Sequence, residues 1–164
     1  MSAALQQHAP EPADFRKAMS SFAAGVTVVT VCHDGRLVGT TVSAFSSVSI
    51  DPPLVMVCLK RDSRTLAALS QAKAFCVNIL ASDQGDLAHR FAKSGADDRF
   101  ALTAVDVGVC GAPLLAGSTA VVECELHAAH DGGDHELLVG RVLRVVTDET
   151  KTPLVYVRGG FLNV

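Results

Sequence analysis

Residues 26–41, VTVVTVCHDGRLVGTT, decide the fold class of this chain. The stretch begins with β-branched and apolar residues on both faces, which is typical of a strand buried on both sides. The Asp34-Gly35 pair that follows is a strong short-range signal for a β-hairpin. These residues therefore predict two neighbouring antiparallel strands joined by a tight turn.

The rest of the chain continues this pattern. Apolar or alternating runs predict further strands at 54–59, 74–80, 120–130, 135–147 and 153–157. Short helices are expected after an Asp14 cap and over residues 63–72 and 82–93. Glycine-rich turns between evenly spaced strands favour a mainly β protein with a closed or nearly closed antiparallel barrel. No GxGxxG motif follows a strand, which argues against a Rossmann cofactor site.

Length and composition indicate one domain. A chain of 164 residues fits a single core. Residues 1–13 contain two prolines and little that packs, so a flexible N-terminal arm is expected before a domain over residues 14–164. Because 49% of the residues are hydrophobic, we expect either a dense barrel core or a large oligomer interface.

Charge and cysteine usage exclude several classes of partner and site. The net charge of −3 argues against nucleic acid or an anionic membrane as the main partner. No apolar run approaches the ~20 residues of a membrane helix, and the N-terminus lacks the features of a signal peptide. The five cysteines are widely and irregularly spaced, so buried packing in the reducing cytoplasm is expected rather than disulfides or zinc.

A hydroxyl-rich stretch, GTTVSAFSSVSIDPP at residues 39–53, follows the hairpin. Strand alternation puts Gly39, Thr41 and Ser43 in one small, polar row. Such a row leaves backbone amides and carbonyls accessible to a flat partner, as the edge of a flavin ring requires. The alternative is an ordinary solvent-exposed strand face.

The segment LKRDSRT, residues 59–65, combines a helix start with positive charge. Ser63 lies at the expected N-cap, while three cations crowd the same turn: Lys60, Arg61 and Arg64. Cations oppose the helix dipole there, so the arrangement costs stability unless an anion binds. The segment therefore predicts either a phosphate site or a solvated charged turn.

Two other polar features have two interpretations each. Asn78 lies mid-strand among apolar residues, where its side-chain amide is expected to hydrogen-bond either to a neighbouring turn or to the polar chain of a ligand.

The segment HAAHDGGDH, residues 127–135, is rich enough in histidine and aspartate to suggest a metal site, but His127 and His130 are three apart on a strand and should face opposite sides. No metal is therefore expected. His135, held near Asp134, is expected either to line a mouth at the barrel rim or to lie at an exposed hairpin tip.

Acid/base and nucleophile motifs do not stand out in the chain. Hydride transfer to a flavin requires mainly orientation, since the cofactor carries the chemistry. The chain resembles the flavin reductase family, the small reductase partners of two-component flavin-dependent monooxygenases. The resemblance runs from about Phe15 to Phe161 through ordered segments: FRKAMSSFAAGVTVVT, GTTVSAFSSVSIDPPLVMVCL, SRT, FCVNIL, HRFA, DRF, GAPLL and GDH.

The resemblance implies a homodimeric FMN-binding split β-barrel with a Greek-key-like antiparallel barrel and FMN or FAD near the dimer interface. Asn78 would lie near the flavin, and the phosphate would be bound by Ser63, Arg64 and Thr65. The ring and ribityl chain would be contacted by Thr41, Val42, Ser43 and Ser47.

The Gly133-Asp134-His135 segment resembles the nicotinamide-side element of the family, in which His135 would position NADH or NADPH against the flavin. Phe161 stands where the family often has tyrosine and would stack on the nicotinamide. The implied activity is hydride transfer from NAD(P)H to FMN or FAD, with diffusible reduced flavin supplied to a separate oxygenase. A non-catalytic flavin carrier or sensor and a pyridoxamine-phosphate-oxidase-like enzyme are the alternatives.

Overall fold

A computed structural model describes residues 9–93, 95 and 99–162 of the chain. It contains three helices within these residues: α1 (Pro12–Ser20), α2 (Arg64–Ala72) and α3 (Gly85–Ala92). The strands of these residues are β1 (Ala24–Gly25), β2 (Thr27–His33), β3 (Arg36–Val42), β4 (Phe45–Ser49), β5 (Leu54–Lys60), β6 (Ala74–Ile79), β7 (Val105–Val107), β8 (Pro113–Leu115), β9 (Ala120–Gly132), β10 (His135–Thr147), β11 (Val155–Val157) and β12 (Gly160–Leu162).

One seven-stranded antiparallel sheet dominates the fold, with strand order β3-β2-β6-β9-β10-β5-β4. Its two edge strands, β3 and β4, are consecutive in the chain and are separated only by Ser43 and Ala44. A connection this short keeps their adjoining ends close together, so the sheet is rolled rather than flat. The prediction of a mainly β, antiparallel protein is confirmed.

The opening hairpin forms as expected. Thr27 pairs with Val42 and His33 pairs with Arg36, which closes the turn at Asp34 and Gly35. Both turn residues have positive φ, 50° and 72°. Glycine adopts this conformation without a steric penalty and aspartate tolerates it, so the Asp-Gly signal identified the turn correctly.

The main core lies inside the rolled sheet, where Val29, Phe75 and Leu138 are fully buried. Strand β2 is buried on both faces over residues 27–31, as its composition predicted. The expectation of a buried strand at 54–59 is wrong for one face, because Val55, Val57 and Leu59 are buried and the residues between them are partly exposed. Strand β5 thus has one face in the core and one facing outward.

Helix α1 differs from its predicted form in two ways. It begins at Pro12, so Asp14 lies in its first turn rather than at the N-cap. Proline suits the first helical turn, since its missing N–H has no intrahelical partner there. The helix buries no side chain, and Phe15 and Phe22 are 55% and 77% exposed. Of the predicted N-terminal arm, residues 1–8 lie outside the described residues.

The simple alternation predicted for residues 120–130 fails at Glu123. Its carboxylate is fully buried, with one oxygen 3.2 Å from a guanidinium nitrogen of Arg144 and the other accepting from the Cys110 amide at 3.1 Å. These two partners compensate the carboxylate in an interior that would otherwise exclude it. The carboxylate anchors the loop before β8 to the sheet.

None of the helices in the described residues is long and apolar enough to cross a membrane.

Candidate functional site

The main candidate site is a cavity of about 530 Å³ beside the start of α2. Ligand pockets of small molecules are usually about 300–1,000 Å³, so the cavity has the size of a nucleotide cofactor. Its walls come from the end of β3, the end of β5, the first turn of α2 and the start of β10. The lining residues predicted from the sequence are Thr41, Val42, Ser43, Ser63, Arg64, Thr65 and His135.

The end of β3 forms a small, rigid wall of the cavity. The Thr41 hydroxyl donates to the Ala88 carbonyl at 2.6 Å, which ties β3 to α3. With its hydrogen committed, this hydroxyl faces a ligand only as an acceptor. The Thr27 hydroxyl donates to the Val42 carbonyl at 2.7 Å and holds the next residue of the wall. Ser43 is exposed, so its hydroxyl and backbone are accessible.

The first turn of α2 has the chemistry of an anion site. The Ser63 hydroxyl accepts from the Leu66 amide at 3.1 Å, which makes Ser63 the N-cap as predicted. This bond leaves the hydroxyl hydrogen available for a ligand oxygen. No acidic residue lies in the first turn, and the exposed side chain of Arg64 lines the cavity there. Thr65, almost fully buried, forms the inner wall. The helix dipole and a guanidinium both favour a phosphate at this position.

His135 lies on the cavity wall at the first residue of β10. Its Nδ1 is 2.8 Å from an oxygen of the exposed Asp134 carboxylate. The hydrogen bond with His135, and the charge of its ring, lower the pKa of the Asp134 carboxyl below its usual value. The carboxylate therefore orients the imidazole, and the other ring nitrogen is left to meet a ligand.

Arg61 fixes the turn that carries His135. Its Nε donates to the Gly133 carbonyl at 2.7 Å, and its guanidinium pairs with Asp131. Its backbone amide donates to the Asp134 carbonyl at 3.1 Å. Gly133 has a φ of 77°, which a side chain at that position would resist. The β9–β10 turn is thus fastened to the end of β5 directly beside the cavity.

Four predicted site residues do not line the cavity: Asp134, which contacts it only through His135, and Asn78, Ser47 and Phe161. The side chain of the fully buried Asn78 donates to the Val28 carbonyl and the Thr30 hydroxyl and accepts from the Leu115 amide. Its hydrogen bonds are therefore made within the protein interior. Ser47 lies exposed on edge strand β4 and does not line the cavity. Phe161 packs between the rings of His89 and Tyr156, with centroids 5.0 and 5.7 Å away.

The structure adds lining residues that sequence reasoning did not assign to the site. Lys60 and Asp62 were visible in the charged segment before α2, whereas Arg99 is 60 positions from the strand that it supports. The Arg99 guanidinium donates to the Gly39 carbonyl at 2.6 Å and to the Lys93 carbonyl. Only the tertiary fold brings this side chain to β3. The remaining additions are Thr40, Ala44, Cys58, Leu59, Ala92 and Gly95.

The thiols are free in the structure. Burial raises the pKa of Cys124 to about 12, and it raises the pKa of Cys58, which lines the cavity, above its usual value. Both side chains are therefore protonated at neutral pH, and neither has the character of a nucleophile. Within the described ranges, no three histidine, cysteine or acidic side chains are grouped as metal ligands.

A rolled antiparallel sheet with a nucleotide-sized cavity, a helix start suited to phosphate and a positioned histidine defines a β protein that binds a nucleotide cofactor. The family model described as "Flavin reductase like domain" matches residues 19–164. The chain belongs to this family, and the resemblance stated from its motifs is confirmed.

Curated relatives resemble the chain over most of its length. It is 41% identical over 160 residues to the reductase component of a 4-nitrophenol 4-monooxygenase/4-nitrocatechol 2-monooxygenase from Rhodococcus opacus, covering 96% of this chain and 85% of the relative. It is 40% identical over 148 residues to an FMN reductase (NADH) from Agrobacterium fabrum, covering 90% and 83%.

A solved structure shows the same fold. The NADH:FAD oxidoreductase of Streptomyces globisporus, in complex with NAD and FAD fragments, superposes with a TM-score of 0.90 at 32% identity. The superposition covers 94% of this chain and 93% of that protein.

Proposed function

We propose that this chain is an NAD(P)H:flavin oxidoreductase that reduces FMN or FAD and releases the reduced flavin to a separate oxygenase. The observation that carries the proposal is the cavity itself, with an anion-suited helix start at Ser63 and Arg64 and a positioned imidazole at His135. Relatives named as an FMN reductase (NADH) and as the reductase component of a monooxygenase support both the activity and the oxygenase partner.

The residues present fit a flavin nucleotide. The end of β3 and the residues after it line the cavity with small side chains, which leave room for a flat ring: Thr40, Thr41, Ser43 and Ala44. A phosphate at the first turn of α2 would accept from the Ser63 hydroxyl and from the Arg64 guanidinium. Val42 and Leu59 would supply apolar contact, and the Thr41 hydroxyl is positioned by its hydrogen bond to the Ala88 carbonyl.

His135 and Asp134 are proposed to position the second substrate. A flavin bound here would supply the hydride acceptor, and a nicotinamide nucleotide would supply the hydride and leave as NAD(P)⁺. The protein supplies orientation: Asp134 holds the His135 ring, and Arg61 holds the turn that carries both. Holding the two flat rings in the reactive orientation lowers the activation free energy of hydride transfer by several kcal/mol, because the entropy cost of aligning them is met on binding.

The barrel type, the domain bounds and the oligomeric state belong to the same proposal. We propose that the rolled sheet is an FMN-binding split β-barrel, that residues 14–164 form one domain and that two copies form a homodimer. The apolar side chains left exposed on and near α1 and β4 support the homodimer: Phe15 is 55% exposed, Phe22 77% and Ile50 95%. The five free thiols support a cytoplasmic location.

Steady-state oxidation of NADH and NADPH with FMN, FAD and riboflavin tests the proposed function. We expect oxidation that depends on added flavin and follows saturation kinetics in both substrates. Flavin binding without NAD(P)H oxidation would instead support a carrier, and oxygen uptake with pyridoxamine phosphate would support an oxidase.

A further inference from the structure

A lysine lies beside the positioned histidine of the cavity. Lys60 is the last residue of β5, is exposed and lines the cavity. It pairs across the sheet with His135, the first residue of β10. Side chains directly opposite each other on antiparallel strands project from the same face, with Cβ atoms about 5 Å apart. Lys60 and His135 therefore line the same side of the cavity.

The positive charge of Lys60 acts at this end of the cavity. It contributes to lowering the pKa of the Asp134 carboxyl, although less than the hydrogen bond and charge of His135 do. Within the described part of the chain, the Lys60 ammonium makes no hydrogen bond or ion pair. The guanidinium of the neighbouring Arg61, by contrast, is bonded to the β9–β10 turn. The ammonium of Lys60 is therefore available to a ligand in the cavity.

Hydride transfer changes the charge of both reacting rings. A hydride carries one proton and two electrons, so its loss leaves the nicotinamide ring as a cation and its gain turns a neutral oxidised flavin into an anion. A cation fixed beside the reacting ring therefore stabilises the reduced flavin more than the oxidised flavin. An ammonium suits this task, because it is a compact point charge.

We infer that Lys60 stabilises the negative charge of the reduced flavin ring. The inference rests on the proposed function, because it assumes that a flavin occupies the cavity and that its ring meets the nicotinamide at His135. Since Lys60 is exposed, water and salt screen its charge, and the stabilisation is modest. The reduced flavin is thus favoured over the oxidised flavin and is still able to leave for a separate oxygenase.

Lys60→Met tests the inference, because it removes the charge and keeps a long, unbranched side chain. In anaerobic titrations of the purified protein, the affinity for reduced FMN should fall about tenfold, while the affinity for oxidised FMN changes less than about twofold. The midpoint potential of bound FMN should fall by about 30 mV, which is the equivalent of tenfold for a two-electron couple. Lys60→Arg keeps the charge and should stay close to the wild type. Lys73→Met removes the same charge from an exposed position outside the cavity and should change none of these values.

Riboflavin separates the flavin ring from the phosphate. It has the same ring and no phosphate, so Lys60→Met should weaken reduced riboflavin about tenfold and oxidised riboflavin less than about twofold. Equal losses for oxidised and reduced FMN, or no loss for either, would overturn the inference. A raised KM for NADH or NADPH with an unchanged flavin potential would assign Lys60 to the nicotinamide nucleotide and also overturn it. These outcomes leave the proposed function intact, whereas a wild-type protein that binds no flavin would refute the proposed function and this inference together.

Discussion

Two sets of polar side chains in this protein occupy opposite environments. The interior set, Thr30, Asn78 and Glu123, is fully buried and bonded to the protein itself. The cavity set, Ser63, Arg64 and His135, is partly or largely exposed and faces an open volume. In the sequence, the residues of both sets lie within or beside runs of apolar residues. Burial together with saturation of hydrogen bonds separates a scaffold residue from a ligand-facing one.

Substitution of Asn78 should give the largest effect, and the effect should be on stability. Asn78→Ala leaves the Leu115 amide and the Val28 carbonyl without their side-chain partner in the interior. We expect a loss of about 3 kcal/mol in the free energy of unfolding, measured by urea denaturation. The KM for flavin should stay unchanged at a temperature where the variant is folded.

Ser47→Ala is the control for this comparison, since Ser47 is exposed and outside the cavity. Its stability should change by less than about 0.5 kcal/mol, with unchanged kinetics. If Asn78→Ala kept the wild-type free energy of unfolding but bound flavin more weakly, Asn78 would belong to the cavity set and not to the interior set.

Arg64 should give the largest effect on flavin affinity. Removal of its guanidinium in Arg64→Ala should weaken flavin binding about 5- to 30-fold, as expected for loss of a charge-assisted phosphate contact. Fluorescence titration of the flavin measures the change. Arg64→Lys keeps the charge but not the planar fork, so an intermediate affinity is expected. An unchanged titration in Arg64→Ala would remove Arg64 from the site.

His135 should affect the nicotinamide rather than the flavin. His135→Ala should raise the KM for NAD(P)H about tenfold and the KM for flavin less than about twofold. His130, exposed on the same hairpin but outside the cavity, gives the matched control, and His130→Ala should change neither KM. A larger effect on flavin than on NAD(P)H would contradict the assigned role.

Arg61 should give a smaller effect of the same kind, because it acts through the turn. Arg61→Ala removes the contacts to the Gly133 carbonyl and to Asp131. We expect the KM for NAD(P)H to rise about threefold with an unchanged flavin affinity, since the imidazole is less well oriented. A uniform rise in both constants would indicate a general loss of structure instead.

The smallest predicted effect is electrostatic. The hydrogen bond and charge of His135 lower the pKa of Asp134 below its ordinary 3.8, so their contribution to stability is present above pH 3.8 and is lost as the pH falls through the lowered pKa. An NMR titration of the Asp134 carboxyl should therefore show a midpoint below 3.8 in the wild type and close to 3.8 in His135→Ala.

Asp148 is the internal control for this titration. Its pKa is lowered by hydrogen bonds from Thr150 and should be the same in both proteins. An Asp134 midpoint that His135→Ala does not move would mean that the pair is not formed in solution.

Local signals account for much of what the sequence predicted. The Asp34-Gly35 turn and the Ser63 N-cap depend on neighbouring residues, so both were predictable. The position of Arg99 at Gly39 depends on a contact across 60 positions, which no local pattern encodes. The partners of Asn78 and Glu123 are likewise not encoded locally, since they come from other strands and from a distant loop.

The apolar pattern has a similar limit. Phe15 and Met19 on α1, and Phe22 just after it, are apolar, yet all three side chains are more than half exposed. The sequence of one chain does not show which side chains a second chain covers. Whether these apolar side chains are buried therefore depends on how the protein assembles. Sedimentation velocity of the wild type and of Phe22→Ser tests the proposed homodimer. We expect a dimer for the wild type and weakened association for the variant.

The most direct test of the central claim compares two binding sites in one variant series. Stopped-flow reduction of bound flavin by NADH should be measured under anaerobic conditions for the wild type, Arg64→Ala and His135→Ala. The account predicts that Arg64→Ala lowers flavin occupancy and His135→Ala raises the NADH concentration needed for half-maximal reduction. Flavin that binds but is not reduced by NADH or NADPH in the wild type would contradict the account.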